Sequence, residues 1–536
     1  MSTAATTVSS SVTVHRMPGR FMSLALVGAG AAIRLELAAR NFLNPDEALH
    51  YFISAQPSFW LTYKASLTTA HPPLMFLLLH GWMKLGTSEF LLRLPFVAAG
   101  VLFCWLLFLW VREVAGENAA ALALALALFS PSLISLSAEV RQYSLMLLGC
   151  AACLYFLERS LQSDSWMQMA WSAVSLWLAL LTHYSALIFA ATAGIYALAR
   201  LVTSRTGTKT RVAWVLGQLV ALGICTILFV TQISRLRSSG LPSEIASTWL
   251  RTSIFHPGGD HALSFAASKT VRLFRYFFSH GTIGVLLLAL FCVAVIALFR
   301  GAGEKVSRRV SRPVAVLLVL PFLLMLATAF AGVYPYGGTR HDVVLELFAL
   351  AGIAIAVDQI NFPLLRQFPA KLLILIVLLV ICNVFAAPTG PFIRPRNQSR
   401  KLMAEAVSAL RSQPQASTVL TDYQSGLVLG YYLCGKHAGL PFGPTPTRIL
   451  EARCNDDRLL TLVGSQGGFE LQQLPMAVKL AWNTVPTASS LWLFQTGWIE
   501  DQGSAWNDEL RYSGCEETRN FGANIRVCKI NRPSAP

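Results

Sequence analysis

Long apolar runs separated by short polar stretches dominate the first 390 or so residues, and each is about 17 to 25 residues, enough to span a hydrocarbon core of roughly 30 Å. The first is Phe21–Ala38. Others follow at 90–112, 118–136, 141–158, 167–182, 184–202, 212–232, 281–300, 313–332, 342–357 and 370–387. The segment 71–86 is apolar but short, and it opens with His71-Pro72-Pro73. The excess of Lys and Arg in cytoplasmic loops decides its role. If it stays on one side, the basic ends at Arg112, Glu158–Arg159, Arg200–Arg211, Glu304–Arg312 and Arg366–Lys371 all fall inside. If it crosses, every later basic loop moves outside. It is therefore read as a re-entrant or interfacial helix.

This pattern predicts an α-helical polytopic membrane protein of about 11–13 spans. The organisation is a cytoplasmic tail at 1–20 and a membrane domain at 21–387, with outer loops at 41–86, 233–280 and 333–342. A soluble extracytoplasmic α/β domain follows at 388–536. Arg34 and Glu36 fall near the outer end of the first run, where long side chains can reach the interface. No small-residue cleavage site follows that run, so it reads as an anchor rather than a cleaved signal. The localisation expected is a bacterial inner (plasma) membrane.

The tail mixes polar and apolar residues. Ser417–Leu420, Leu427–Leu433 and Leu491–Phe494 read as short strands and Arg400–Arg411 as a helix. Its four cysteines, Cys434, Cys454, Cys515 and Cys528, fit two disulfides on an oxidising side, with three connectivities open. Cys515 and Cys528 can close a hairpin, which leaves Cys434 with Cys454.

Composition agrees. Of 536 residues, 54% are hydrophobic and 13% charged, with a mean hydropathy of +0.53. Soluble domains carry about 25% charged residues. A net charge of +16 would suggest nucleic acid in a soluble protein. Here the cations sit in short loops, where they set topology and meet anionic headgroups, and no nucleic-acid motif is present.

Candidate chemistry gathers on the outer side. In Asn44-Pro45-Asp46-Glu47-Ala48-Leu49-His50-Tyr51, Pro45 suits a first helical turn, and Asp46/His50 and Glu47/Tyr51 are spaced to share faces. A carboxylate there can take a proton from a nucleophile or hold a cation. Acids also favour first turns for structural reasons. His71 follows in the same loop. Ser137-Ala138-Glu139-Val140-Arg141-Gln142-Tyr143 puts two ionisable groups at a mouth between spans, where such groups usually have partners or tasks. Thr182-His183-Tyr184 is another polar joint. Tyr334-Pro335-Tyr336-Gly337-Gly338-Thr339-Arg340-His341-Asp342 is a Gly-rich turn whose N–H groups and Arg340 would suit a phosphate. Lys269–Arg275 reads as a basic interfacial helix.

With these motifs the chain resembles polytopic glycosyltransferases of the C-type fold, a group that includes protein O-mannosyltransferases and lipid A aminoarabinose transferases. The resemblance rests on Pro-Asp-Glu-Ala at 45–48, His-Pro-Pro-Leu at 71–74 and Ser-Glu-Phe-Leu-Leu-Arg-Leu-Pro at 88–95. Ser-Ala-Glu-Val-Arg-Gln-Tyr-Ser-Leu at 137–145 and Thr-His-Tyr at 182–184 follow in the same order. It implies inverting transfer of a sugar from a polyprenyl-phosphate donor to an extracytoplasmic acceptor: a glycolipid, polysaccharide or protein. It further implies a catalytic set of Asp46, the general base, with Glu47 and Glu139, and it places Arg141, His71, Arg340 and His341 at the donor phosphate. His50, Tyr51, Tyr143, His183 and Tyr184 are candidate substrate contacts, and Asp46 with Glu47 is the candidate pair for a divalent metal ion. Two other readings handle the same lipids. A flippase or transporter would carry symmetric repeats and broken helices, and neither is visible. A surface-polysaccharide polymerase or ligase usually carries its site on a large late loop, whereas here the acids lie in the first.

Overall fold

The computed structural model describes residues 20–238, 250–301, 308–385, 399–412, 417–435, 446–454, 456–464, 473–496, 508, 510, 513–522 and 524–532. The N-terminal tail, part of the loop 233–280 and the linker 386–398 between the two expected domains lie outside the described residues.

Each expected apolar run is helical. The membrane part begins with α1 (Arg20–Arg40), the loop helices α2 (Pro45–Ser54), α3 (Phe59–Ser66) and α4 (Leu74–Trp82), and α5 (Glu89–Ala115). It continues with α6 (Glu117–Phe129), α7 (Pro131–Ser137), α8 (Tyr143–Ser163), α9 (Trp166–Leu180) and α10 (Ala186–Thr203). Then come α11 (Thr208–Leu228, continued as helix to Ser238), the amphipathic α12 (Ala262–Phe278), α13 (Gly281–Arg300), α14 (Arg308–Phe330), α15 (Val343–Gln359) and α16 (Phe368–Val384). Among the described residues, seven helices are long and apolar enough to cross a membrane alone, and the pair α6 and α7, bent by 59°, makes an eighth if the two together form one span. The remaining three runs, α9, α15 and α16, are 15, 17 and 17 residues, which at 1.5 Å per residue reach only about 23–26 Å. The segment Leu74–Leu85 is shorter still.

Contacts divide the bundle into two ends. At one end Arg93 meets Ala38 and Asn41, the N–H of Leu74 donates to the Leu181 carbonyl, and Gln232 reaches His71. At the other, Arg159 faces Glu113 at 3.7 Å, Asp164 accepts from the N–H of Gly207, and Lys371 donates to the Asp358 carbonyl.

The bend between α6 and α7 explains Arg34, which does not reach for the interface as expected. It is fully buried and donates to the carbonyls of Leu128 (2.7 Å), Ala127 (3.1 Å) and Gly30 (3.0 Å). Pro131 has no N–H to give the Ala127 carbonyl four residues back, and the guanidinium supplies the missing hydrogen.

The C-terminal domain is α/β, as expected. It contains α17 (Arg400–Arg411), α18 (Tyr423–Cys434), α19 (Leu474–Thr484) and strands β1 (Thr418–Thr421), β2 (Arg448–Cys454), β3 (Asp457–Val463), β4 (Ser490–Thr496), β5 (Cys515–Asn520) and β6 (Ile525–Asn531). The sheet order is β2-β3-β1-β4-β6-β5, with β1 parallel to β3 and β4 and the other pairs antiparallel. Strand alternation serves two cores. Leu420, Leu460 and Leu493 face α19, while Val419, Leu459 and Phe494 face the side of α17 and α18. Leu427–Leu433 is helical, not the strand its apolar run suggested. Asp422 caps that helix by accepting from the N–H of Ser425 at 2.8 Å, and Gly435 at φ +64° ends it. Disulfides join Cys434 to Cys454 and Cys515 to Cys528.

The core on the α18 side continues into the membrane part. Met403, Leu427 and Phe494 pack in one cluster with Phe42, Tyr51, Phe76 and Phe96. Polar ties accompany it. The Tyr432 hydroxyl accepts from the N–H of Leu43 (3.0 Å) and donates to Glu89 (2.8 Å), and Tyr431 donates to the Thr87 carbonyl. The C-terminal domain is thus seated on the loop helices that carry the acidic motif.

Candidate active site

The site is built around the start of α2. Asn44 accepts from the N–H of Glu47, and Glu47 accepts from the N–H of Asn44, both at 3.0 Å, with Pro45 as the first helical residue. This cap fixes the first turn and points its two carboxylates in different directions.

Glu47 turns inward. It takes two bonds of 2.7 Å from Arg93 and one of 2.8 Å from the N–H of Val140. Arg93 spends its remaining donors on the carbonyls of Ala38, Asn41 and Phe42, so all five N–H groups are used. Both side chains are almost fully buried. Glu47 therefore ties α1, α2, α5 and the 139–141 turn together, and the expectation of a direct part in the chemistry gives way to a structural one.

Asp46 turns outward and remains 23% exposed at its side chain. One of its oxygens accepts from Arg141 at 2.6 Å and from Arg340 at 2.8 Å. Glu139 stands 3.8 Å from Arg141. Residues far apart in sequence thus meet at one carboxylate. Burial alone would raise the Asp46 carboxyl, but Arg141 and Arg340, with His50, outweigh it and hold it far below the ordinary carboxylate range. Burial, reinforced by the charge of Glu47, instead pushes Glu139 up to about 7. The divergence of Asp46 and Glu47 does not fit a divalent ion shared between them, and no group of three His, Cys, Asp or Glu among the described residues is placed to hold one.

Four imidazoles form a row beside the pair of arginines. Ring centroids are 5.8 Å apart for His50 and His71, 5.7 Å for His71 and His183, and 6.2 Å for His183 and His341. Burial, then the neighbouring positive charge of Arg141, lowers His50 to about 3. His183 falls to about 3 for the same reasons, with Arg340 adding to them. Burial likewise holds His71 and His341 well below the usual histidine range. The row is neutral at physiological pH and offers hydrogen bonds rather than charge. His50 faces the Val140 carbonyl at 2.8 Å and His71 faces the Gln142 amide at 3.1 Å. Tyr143 leans on His183, 5.1 Å between centroids.

Other expected contacts go elsewhere. Tyr51 points to the soluble domain, donating to the Gly435 carbonyl at 2.8 Å. Tyr184 has a buried hydroxyl with no partner among the described residues. The Gly-rich turn does not offer its N–H groups to a ligand as expected. Asp342 accepts from the N–H of Gly338 (3.1 Å) and of Thr339 (2.8 Å) and from the Thr339 hydroxyl (2.9 Å). Gly338, at φ +85° and with the Arg272 carbonyl 2.7 Å from where a Cβ would stand, leaves no room for a side chain. The turn places Arg340 2.8 Å from Asp46 and the His341 ring 6.2 Å from that of His183.

Two glutamines support the site; Gln142 lies within a motif already singled out, and Gln232 was not singled out by the sequence. Gln142 holds His71. Gln232 donates to the carbonyls of Ser66, Thr69 and His71 at 3.0, 2.9 and 2.7 Å. It lies in a π-helical turn, Phe229–Ile233, a feature frequent at functional sites. The available signal was a glutamine at the end of an apolar run, and Gln218 in the same run carries the same signal without reaching the site.

Residues 70–229 match the family model described as dolichyl-phosphate-mannose-protein mannosyltransferase. That stretch includes His71, Glu139, Arg141 and His183, while Asp46, Arg340 and His341 fall outside it. No curated protein matches the chain. Among solved structures, ArnT from Cupriavidus metallidurans in the apo state is similar at 14% identity and a TM-score of 0.49, covering 95% of this chain and 98% of that one. The same protein bound to undecaprenyl phosphate is similar at 14% identity and a TM-score of 0.47, covering 96% and 98%. The oligosaccharyltransferase AglB from Archaeoglobus fulgidus, in complex with an inhibitory peptide and a dolichol-phosphate, is similar at 11% identity and a TM-score of 0.47, covering 96% and 75%. The chain is an integral membrane protein that resembles this mannosyltransferase family over residues 70–229.

Proposed function

We propose that the protein is a glycosyltransferase that moves a sugar from a polyprenyl-phosphate donor to a nucleophile on an extracytoplasmic acceptor, with inversion at the anomeric carbon. The observation that carries this reading is the carboxylate of Asp46 held between Arg141 and Arg340. Transfer of this kind needs a base for the acceptor and positive charge for the departing phosphate, and these three side chains supply both. The family match over 70–229 supports the same class.

In this mechanism the donor phosphate takes the two guanidiniums, which suit its oxygens by geometry as well as charge. His71 and His341 add hydrogen bonds without adding charge. Asp46, freed from its cations, becomes basic enough to accept the proton of the acceptor hydroxyl. A bond forms between that oxygen and the anomeric carbon while the bond from that carbon to the phosphate oxygen breaks. The electron pair leaves with the polyprenyl phosphate, stabilised by Arg141 and Arg340.

Charge distribution supports an extracytoplasmic site. Arg112, Arg159, Arg200 and Lys371 gather at the end of the bundle opposite Asp46, as cytoplasmic ends do. The two disulfides lie on the site end, fitting an oxidising compartment. The test is turnover by purified protein offered a panel of polyprenyl-phosphate sugars, with membrane extract as acceptor. Release of polyprenyl phosphate coupled to glycosylated product supports the assignment. Movement of intact donor across a liposome bilayer without sugar release would replace it with a flippase.

A further inference from the structure

One buried acid is left unused by this reaction. Glu346, in the first turn of α15, is fully buried. One of its oxygens lies 2.5 Å from Ser130 Oγ and 2.7 Å from Ser132 Oγ, and the other lies 2.8 Å from Ser132 Oγ. Both serine oxygens also lie 3.0 Å from the Phe277 carbonyl oxygen, and 3.0 Å from each other. Phe277 is in the last turn of α12, where carbonyls have no partner within the helix.

Counting hydrogens decides the state of this cluster. Two hydroxyls supply two. If Glu346 is ionised and takes both, the buried carbonyl faces two oxygens with no hydrogen between, an unmet acceptor. If Ser130 instead turns its hydrogen to the carbonyl, its oxygen stands 2.5 Å from a bare carboxylate oxygen. A third hydrogen on Glu346 removes the conflict. The acid donates to Ser130, Ser130 donates to the Phe277 carbonyl, and Ser132 donates to the second oxygen of Glu346. The titratable groups facing the cluster are Arg34 from α1, Cys104 from α5 and Tyr276 from α12. Arg34 is engaged with backbone carbonyls and with Cys104 rather than with the carboxyl.

The location gives the acid its task. Ser130 and Ser132 stand at the start of α7, and α7 ends four residues before Arg141. Glu346 lies in α15, which starts three residues after Arg340. We infer that Glu346 is held as the neutral carboxylic acid and is a positioning residue, stapling α7 to α15 so that Arg141 and Arg340 meet on Asp46. Only its effect on phosphate binding rests on the proposed function.

The test uses the full chain with Glu346→Gln and Glu346→Ala. In infrared difference spectra at neutral pH, a carboxylic-acid carbonyl stretch is expected in the wild type and absent from Glu346→Gln. A carboxylate band in its place would overturn the neutral acid. Binding of a short-chain polyprenyl monophosphate reads the positioning. Glutamine can donate to Ser130 and accept from Ser132, so Glu346→Gln should stay within about two-fold of wild type, and Glu346→Ala should weaken binding by about tenfold or more, a difference of about 1.4 kcal/mol. Equal loss in both variants, or no loss in Glu346→Ala, would overturn the staple. If Glu346→Ala does not fold, retained binding in Glu346→Gln and the infrared band still decide. If the wild type itself binds no probe, the phosphate site fails and the infrared result stands alone for Glu346.

Discussion

Replacing Glu47 by Gln separates a structural acid from a catalytic one. Glu47 is fully buried and accepts four bonds of 2.7 to 3.0 Å, two from Arg93 and one each from the N–H groups of Val140 and Asn44. Glutamine keeps the shape but removes the charge and turns one acceptor into a donor. Arg93, 1% exposed, is then left without its countercharge, although its bonds to the carbonyls of Ala38, Asn41 and Phe42 remain. Breaking one side of a buried pair costs about 3–5 kcal/mol. Thermal unfolding in detergent, followed by loss of monodisperse protein, should show a drop of many degrees for Glu47→Gln. A Glu47→Gln, Arg93→Met double variant should recover part of it, because methionine fills much of the same space and needs no countercharge. The reasoning is refuted if Glu47→Gln unfolds with the wild type yet loses turnover, since Glu47 would then act on substrate.

Three further outcomes follow from the same geometry. Asp46→Asn should bind a polyprenyl monophosphate more tightly, by about tenfold for some 1.4 kcal/mol of removed competition for Arg141 and Arg340, as read by calorimetry in detergent; weaker binding would mean that the carboxylate itself helps hold the donor. Tyr432→Phe, which leaves the N–H of Leu43 beside the α2 cap without its acceptor at a cost of about 1–3 kcal/mol, should lower turnover several-fold with unchanged circular dichroism; unchanged turnover would show that the soluble domain does not position α2. Glu139, pushed up to about 7, is neutral below that pH and ionised above it, so its negative charge near Arg141 appears as pH rises. Binding of a phosphodiester donor, whose own charge is constant, should weaken between about pH 6 and 8 in the wild type and flatten in Glu139→Gln; a pH dependence unchanged in that variant would remove Glu139 as its source.

The membrane architecture was legible because the bilayer imposes a length and a polarity that few other environments do. The apolar runs located each helix to within about six residues at its ends, and the spread of cations marked the two ends of the bundle. The polar motifs were legible as candidates, and Asp46, Arg141, Arg340 and the four histidines do converge. What the sequence did not carry was direction. Asp46 and Glu47 are adjacent on a first turn, so nothing local says that one faces Arg93 and the other faces Arg141. The Gly337–Gly338 turn read as a phosphate cradle because its N–H groups were counted as open; Asp342, four residues after Gly338, closes on them. Leu427–Leu433 read as a strand because a short apolar run buried on several sides looks the same in either state. Glu346 stands out as an acid within an apolar run, but its partners were not readable, since they are serines at a helix break more than two hundred residues away.

The central claim is that Asp46 is the base and the arginines hold the leaving phosphate. Its most direct test is transfer by wild type and Asp46→Asn, in the same liposomes, from a polyprenyl-phosphate sugar of known anomeric configuration. The wild type should give product of opposite configuration. Turnover should be lower by about 10²–10⁴ in the variant, the usual contribution of general-base catalysis, while donor binding tightens. Equal turnover in both proteins, or product of retained configuration, would contradict it.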